Sequence, residues 1–470
     1  MLVTARILPL AALLLAGCTV GPDYAPPQTA VAPEWVEGGV PGEVDLEWWR
    51  RFGDPQLTTL IERAFAGGPD LSEATARLAE ARANRDAAAG GRLPAVNATG
   101  SATENVLSEE GQLPVGQIPG FERDFPLFDL GFDASWEIDL WGRRTREVEA
   151  AEARADAALA GRREVMLTLA AEVARNYLDL RAAQADAATL QTLAETDAEA
   201  ERLTRLRVGA GEDPRDALDR AAAAAQASQA AVGNARAQAT AAAYRIAVLV
   251  GARPEDMAPL LSQPAPLPPG PDVIAAGIRS DLLTRRPDVR AAERRLAAAT
   301  ADIGIATADL FPRFSLLGSI GQQARSVDDL FTGGATRLQV GPSVSWPIFA
   351  GGTIRARIRA TDARAEAAAA VYEKAVLTAL ADSETALNRF ATAQAAANAQ
   401  AAALERQESA LVLARLRAAS GETDRLMLAQ SRRAMLNQAR AATDARRERA
   451  QAAVALFKAL GGGWRDPPVD

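Results

Sequence analysis

Histidine is absent from the 470 residues, and cysteine occurs once, at Cys18. These absences remove Ser-His-Asp and Cys-His catalysis, zinc sites built on His or Cys, and any disulfide within one chain. An enzyme would have to work with carboxylates, Lys, Tyr or a bound cofactor, yet the sequence has neither a phosphate loop nor a dinucleotide glycine fingerprint. Long apolar runs are missing too: beyond residue 17 none reaches the roughly 18 residues of a transmembrane helix. A formal net charge of −8 argues against nonspecific nucleic-acid binding, and a hydrophobic content of 48% fits a folded protein.

What is present begins with an export signal. Arg6 sits in a basic start, and the apolar run from Ile7 to Gly17 is too short to span a bilayer but suits the core of a signal peptide, residues 1–17. Leu15-Ala16-Gly17-Cys18 looks like a bacterial lipobox. In that class the chain is cut before the Cys, which then carries lipid, so covalent lipid on Cys18 is the only non-protein group expected. Thr19 follows where Asp would favour retention in the inner membrane, which by analogy favours the outer membrane.

The chain repeats itself. The stretches from Pro69 and Pro287 align without gaps at an offset of 218, matching Asp70/Asp288, Arg77/Arg295, Leu78/Leu296, Pro94/Pro312 and Gly100/Gly318. A second block aligns at an offset of 210, with Trp136/Trp346, Ile138/Ile348, Gly142/Gly352, Arg207/Arg417, Glu212/Glu422 and Gly251/Gly461. A period this long means duplicated architecture and not a short solenoid. The division expected is a lipidated N-terminal segment at 18–56, a first repeat at 57–251, a Pro-rich linker or belt at 252–279, a second repeat at 280–461 and a tail at 462–470.

Each repeat reads as helix, strand pair, very long helix and returning helix. The first helices are predicted at about Leu57–Leu93 and Ser280–Phe311, stopped by Pro94 and Pro312. Strand pairs follow within 95–140 and 313–349. In the return strand of the first pair, Phe128, Leu130, Phe132, Ala134, Trp136 and Ile138 alternate with Asp129, Gly131, Asp133, Ser135, Glu137 and Asp139. That is a strand with one apolar and one wet face. The second return strand sets Leu338, Val340, Pro342, Val344, Trp346 and Ile348 on its apolar side. The long helices, about Arg143–Val208 and Thr353–Ala418, are each on the order of 100 Å at 1.5 Å per residue. Returning helices are predicted at Pro214–Val250 and Asp424–Leu460. The thin stripe Val165, Leu169, Val173, Tyr177, Leu180 in a run of Ala suits close, coiled-coil-like packing rather than a thick core.

Strands of about ten residues are long enough to cross an outer membrane at a tilt. An open sheet edge is not viable in hydrocarbon, and four strands cannot close a barrel, so lipid-facing strands would force the chain to associate with copies of itself. Trp136, Trp141 and Trp346 are candidates for the membrane interface, whereas Trp35, Trp48, Trp49 and Phe52 read as anchors of the N-terminal segment against the belt.

The residues after the lipobox, "CTVGPDY", together with "EWWRRFGDPQLTTLI", "SWEIDLWGRR", "RRPDVRAAERRLAAATADIGIATADLFPRFSLLGSIG" and "WPIFAGGTIRARI", resemble the NodT-like outer-membrane lipoproteins of the TolC-type outer membrane factor family. The resemblance covers essentially the whole mature chain. It implies a mainly α protein with membrane β: a trimer with a 12-stranded barrel and a periplasmic α-helical tunnel. It also implies a non-enzymatic exit duct of a tripartite efflux system, passing small molecules from an inner-membrane transporter, commonly of the resistance-nodulation-division type, and a periplasmic adaptor.

The functional end is expected at the two helix–helix turns, "RLRVGAGEDPRDALD" from Arg205 and "RLRAASGETDRLMLA" from Arg415. Gly209 and Gly211 suit the end of the long helix, Asp213 a cap and Pro214 the first turn of the next helix. Glu212, Asp213, Asp216, Glu422 and Asp424 become a ring when repeated by symmetry, favouring cations and water and shaping a gate by repulsion or by pairing with Arg215 and Arg425. The resemblance assigns the constriction to Asp424 and Glu422 and adaptor docking to Val208-Gly209-Ala210 and Ala418-Ala419-Ser420. The family more often has Gly at the place of Ala419. Competing readings are a protein-secretion duct, a structural coiled-coil envelope lipoprotein without membrane strands, and a carboxylate-pair glycosidase, for which a rod-like sequence offers no cleft.

Overall fold

The computed structural model describes residues 19–108, 119–120 and 122–464, so the expected signal peptide and the lipid acceptor Cys18 lie outside the described residues. The chain forms two compact units. One takes residues up to 27, 79–157 and 293–371; the other takes 28–78, 158–292 and from 372 onward. This partition cuts across the repeats: each unit draws on both halves of the sequence.

The first unit holds a four-stranded sheet, β1 (Ala95–Val106), β2 (Asp124–Ile138), β3 (Arg313–Ala324) and β4 (Thr336–Ser345), antiparallel throughout and in the order β1-β2-β3-β4. The register aligns the apolar sets of all four strands into rows. Ala98, Phe132, Ile320 and Leu338 stand opposite one another, as do Val96, Ala134, Gly318 and Val340. Because side chains alternate at period two, these rows share one face. On the other face Asp129 accepts from Arg337 at 2.7 Å and from Gln323 at 2.8 Å, and Thr99 donates to Asp133 at 3.0 Å. Gly131 and Gly321 face each other there, and a Cβ on Gly131 would lie 2.7 Å from the Ile320 carbonyl oxygen. The wet set contains glycine because the backbones approach too closely for a side chain.

The fourth strand ends earlier than expected, at Ser345 instead of Phe349. Pro347 cannot donate to a ladder, and the Trp346 indole turns to donate to the Leu310 carbonyl at 3.0 Å. Trp136 does the same with Arg92 at 2.8 Å, and Trp141 with Pro312 at 2.8 Å while stacking on Phe311. The three indoles thus tie the sheet and its outgoing segment to the ends of neighbouring elements.

The predicted first helix is two helices, α1 (Pro55–Gly67) and α2 (Pro69–Gly90). Gly68 is extended, at φ −65 and ψ 130, because a residue before proline is pushed out of the helical region. The second copy breaks at the matching place: α6 (Leu282–Arg285) and α7 (Pro287–Ala308) flank Arg286, at φ −74 and ψ 120. The predictions for the remaining helices hold to within a residue or two. α3 (Arg143–Gly209) and α8 (Thr353–Ala419) have 67 residues each, and α4 (Arg215–Leu249) and α9 (Arg425–Ala459) have 35 each. The belt carries α5 (Pro254–Leu261).

The second unit has a dense core. Trp48 is fully buried and stacks on Phe457 of α9 at 5.4 Å, and Trp49 meets Phe65 edge-on. Leu169, Val173, Tyr177 and Leu180 are all buried, so the thin stripe on α3 is the side that packs. The belt lies against the N-terminal segment: Val40 bridges Ala275, and the Trp35 indole donates to the Gly277 carbonyl at 3.0 Å. Asp54 caps α1, accepting from the amides of Gln56 and Leu57 at 2.8 and 3.0 Å. Its second oxygen accepts from the Tyr177 hydroxyl at 2.7 Å. Burial first, and the carboxylate second, push that phenol up to about 12.

Candidate channel wall and helix-turn site

Two places in the molecule answer to the functional expectations, one in each unit. The first is the apolar face of the sheet. Phe132, Ile320, Leu338 and Val340 are 58%, 53%, 73% and 73% exposed, and among the described residues no layer covers them. A sheet that gathers Asp129, Asp133 and Arg337 on one face and displays these rows of hydrocarbon on the other is inverted relative to a water-soluble sheet packed on a core. Its outer strands β1 and β4 each have one edge unpaired among the described residues. Among the described residues no helix is long and apolar enough to cross a membrane.

The second place is the pair of turns closing α3–α4 and α8–α9. The backbone treats them alike. In the first, the amides of Ala210, Gly211 and Glu212 bond back to Leu206, Val208 and Arg207; in the second, those of Ser420, Gly421 and Glu422 bond back to Leu416, Ala418 and Arg417. The left-handed residue is Gly211 at φ +77 and Gly421 at φ +79, as helix C-termini require. Neither Gly209 nor Ala419 carries a positive φ, so alanine at 419 leaves the turn geometry intact. Val208 and Ala418 are half-buried, whereas Gly209, Ala210, Ala419 and Ser420 are exposed.

The side chains differ between the turns. Asp424 caps α9, accepting from the Met427 amide at 2.7 Å. Asp213 does not cap α4: Pro214 occupies the cap position and makes no side-chain bond. The Asp213 carboxylate is drawn off by Arg207, whose Nε lies 2.8 Å from Oδ2. The same guanidinium reaches Asp424 Oδ2 at 2.7 Å and lies 3.9 Å from Glu212. These carboxylates, Asp213 foremost, hold the Arg207 guanidinium above its usual range. One cation therefore joins the turns of the two repeats. The pairing expected of Arg215 and Arg425 is made by Arg207 instead. Arg425 lies beside a cavity of ≈ 260 Å³ with Glu199 and Arg415, and Asp216 pairs with Arg220 on its own helix. Glu422 is exposed. Arg207 appears in the sequence as one of the matched repeat positions, but nothing in the spacing shows that it reaches across to the other turn.

An exposed apolar β-face together with helices of 67 residues defines a membrane-inserting β protein that also carries very long helices. The family model described as outer membrane efflux protein matches residues 60–252 and 278–462, and the chain belongs to this family. It is 32% identical over 460 residues to the pyoverdine export outer membrane protein OpmQ of Pseudomonas aeruginosa, covering 97% of this chain and 96% of that one. It is likewise 32% identical over 382 residues to nodulation protein T of Rhizobium leguminosarum bv. trifolii, covering 81% and 80%. Among solved structures, the outer-membrane channel OprN matches with a TM-score of 0.84 at 38% identity, over 95% of this chain and 100% of that chain. The open state of the Neisseria gonorrhoeae MtrE outer membrane channel matches with a TM-score of 0.81 at 29% identity, over 95% and 98%. The protein is an outer-membrane efflux channel of the NodT type and not an enzyme.

Proposed function

We propose that three copies close a 12-stranded barrel, β4 of one subunit pairing with β1 of the next, and that the duct so formed passively exports small molecules in a tripartite pump. The observation that carries this is the four-stranded sheet with an uncovered apolar face and two open edges. In hydrocarbon both edges must pair, and a ring of identical subunits pairs them with no new chemistry. The polar face, with Asp129, Arg337 and Asp133, then lines water. Lipid on Cys18 tethers each subunit.

A periplasmic adaptor docks on Val208-Gly209-Ala210 and Ala418-Ala419-Ser420, where small exposed residues allow close backbone approach. The inner-membrane partner is a transporter of the resistance-nodulation-division type. Relatives whose names specify a cargo export pyoverdine, antibiotics or toluene, which supports small organic compounds as the class carried here. The gate is the turn region, where Glu212, Asp213, Asp216, Glu422 and Asp424, repeated threefold, narrow the entrance, and Arg207 and Arg425 offset their repulsion.

The test is reconstitution of the detergent-purified, lipidated protein in a planar bilayer, after its mass has been measured by light scattering. Stepwise conductance from a trimer is expected, changed in Asp424→Ala and Glu422→Ala. Correctly assembled trimers without any pore would overturn the duct. A pore indifferent to both substitutions would overturn the gate and leave the duct standing.

A further inference from the structure

β2 and β4 run in the same direction, so α3 and α8, which follow them, start at the same rim of the sheet. Both helices start with arginines: Arg143, Arg144 and Arg146 in α3, Arg355, Arg357 and Arg359 in α8, with no acid in either first turn. The positive end of the helix dipole lies there, so a cation at this place needs anions nearby. The first start has them. Glu137 and Glu147 hold Arg144 at 2.8 and 2.9 Å, and Glu149 holds Arg146 at 2.7 Å. The second start lacks them. At the offset of 210 residues, Glu137, Asp139, Glu147 and Glu149 correspond to Pro347, Phe349, Arg357 and Arg359. All four acids of residues 137–149 thus give way to a proline, an aromatic and two arginines.

One arginine at the start of α8 finds a partner within the chain. Arg357 reaches Asp309 at 3.3 Å, and Asp309 also holds Arg313, which stands opposite Ser345 on the polar face of the sheet. Arg355 and Arg359 are exposed and make no ion pair or hydrogen bond among the described residues. Residues two apart on a helix point to nearly opposite sides, and residues four apart to the same side. With Arg357 turned to the group on the polar face, Arg355 and Arg359 stand one above the other on the side away from it. Just before them lie Ile348 and Phe349, at 85% and 90% more exposed than any other large apolar side chain among the described residues. Trp346, held by its indole at the Leu310 carbonyl, links them to Leu338, Val340 and Val344 of β4. Hydrocarbon, then aromatic rings, then cations is the order in which a bilayer presents acyl chains, interface and phosphate. An acidic protein surface would satisfy the arginines but not cover Ile348 and Phe349. A zwitterionic headgroup would bring its own ammonium toward the arginines, whereas an anionic one would not.

We propose that residues 346–359 bind an anionic phospholipid of the phosphatidylglycerol class, its phosphate at Arg355 and Arg359 and its acyl chains along Ile348, Phe349 and the apolar face of β4. The proposal rests on that face meeting lipid, as the duct requires.

The experiment is native mass spectrometry of the detergent-purified protein titrated with phosphatidylglycerol. Parallel titrations use phosphatidylethanolamine with the same acyl chains, and inorganic phosphate. Wild type should retain phosphatidylglycerol in preference to phosphatidylethanolamine. In the double variant Arg355→Gln, Arg359→Gln that preference should fall about tenfold or more, each arginine near anionic headgroups contributing roughly fivefold. Arg357→Gln, on the opposite side of the helix, should keep it. The same spectra count subunits. Loss of subunits in the double variant would mean that these arginines pair across a subunit boundary, and would overturn the proposal. So would inorganic phosphate bound as tightly as the lipid, or a preference unchanged in the double variant. Equal retention of both lipids by wild type overturns this proposal alone, and retention of neither overturns the lipid-facing sheet with it.

Discussion

Two concentrations of large apolar side chains in this protein treat water in opposite ways. Around Trp48, the residues Leu57, Ile61, Tyr177, Ile246 and Phe457 are at most 1% exposed. On the sheet, Leu338 and Val340 are 73% exposed, beside Phe132 and Ile320. Composition does not separate these regions, since both use Leu, Ile, Val and aromatics. Architecture does. The helices of the second unit supply several faces that cover one another. The sheet of the first unit has one apolar face, and among the described residues no second layer covers it. A water-soluble envelope rod would have no reason to keep such a face, which is why the sheet, more than the helices, rules out that reading.

The largest expected effect tests the buried side. Trp48→Ala removes a fully buried indole and its stacking on Phe457, at a cost of about 3–5 kcal/mol. Chemical unfolding in detergent, followed by helix content, should record it. The matched change on the sheet, Val340→Ala, should move the same transition by less than about 0.5 kcal/mol. If both substitutions cost the same, the sheet face is packed against protein, and the contrast is broken.

The next effect tests the exposed side in its own solvent. Val340 stands in the row formed with Val96, Ala134 and Gly318, and it points to the apolar face. Val340→Arg should cost about 2–4 kcal/mol near the middle of a bilayer, yet be close to neutral for a surface in water. The measurement is folding into liposomes, read by protease protection of the strands. Ser343→Arg on the same strand, on the polar face, is the control. Equal insertion of Val340→Arg, Ser343→Arg and wild type would remove the membrane from the account of this face.

Much of this contrast is legible in the sequence, because period-two alternation over six apolar positions has no helical interpretation. The duplicated helix lengths follow from the repeat for the same reason: Gly211 and Gly421 punctuate each copy at the same offset. The breaks at Gly68 and Arg286 are announced by Pro69 and Pro287, but a helical pattern runs on through them and hides a local rule about the residue before proline. The reach of Arg207 to Asp424 is of another kind. It depends on which turn lies beside which, and no spacing within either turn encodes it. The same holds for Asp213, read as a cap by its position before Pro214 and taken by Arg207 through space. The division into two units that cut across the repeats is likewise a property of contacts between distant segments.

The smallest effect sharpens the buried side of the comparison, because that core holds a titratable phenol away from water. Tyr177 is buried and donates to Asp54, which also caps α1. Tyr177→Phe should cost about 1.5 kcal/mol near neutral pH, the worth of a hydrogen bond to a charged group. The pH dependence follows from the raised phenol, at about 12 against an ordinary 10.0. In the unfolded chain the phenol loses its proton first, so the proton is held more tightly in the folded state. The contribution is complete below the unfolded value and is lost as pH rises from about 10 toward about 12. Melting temperatures of wild type and Tyr177→Phe should therefore differ by a constant amount up to about pH 10 and converge above it. Other groups titrate in that range in both proteins and cancel in the difference. A gap that stays constant through the alkaline range would mean that the hydroxyl is not held by Asp54 in solution.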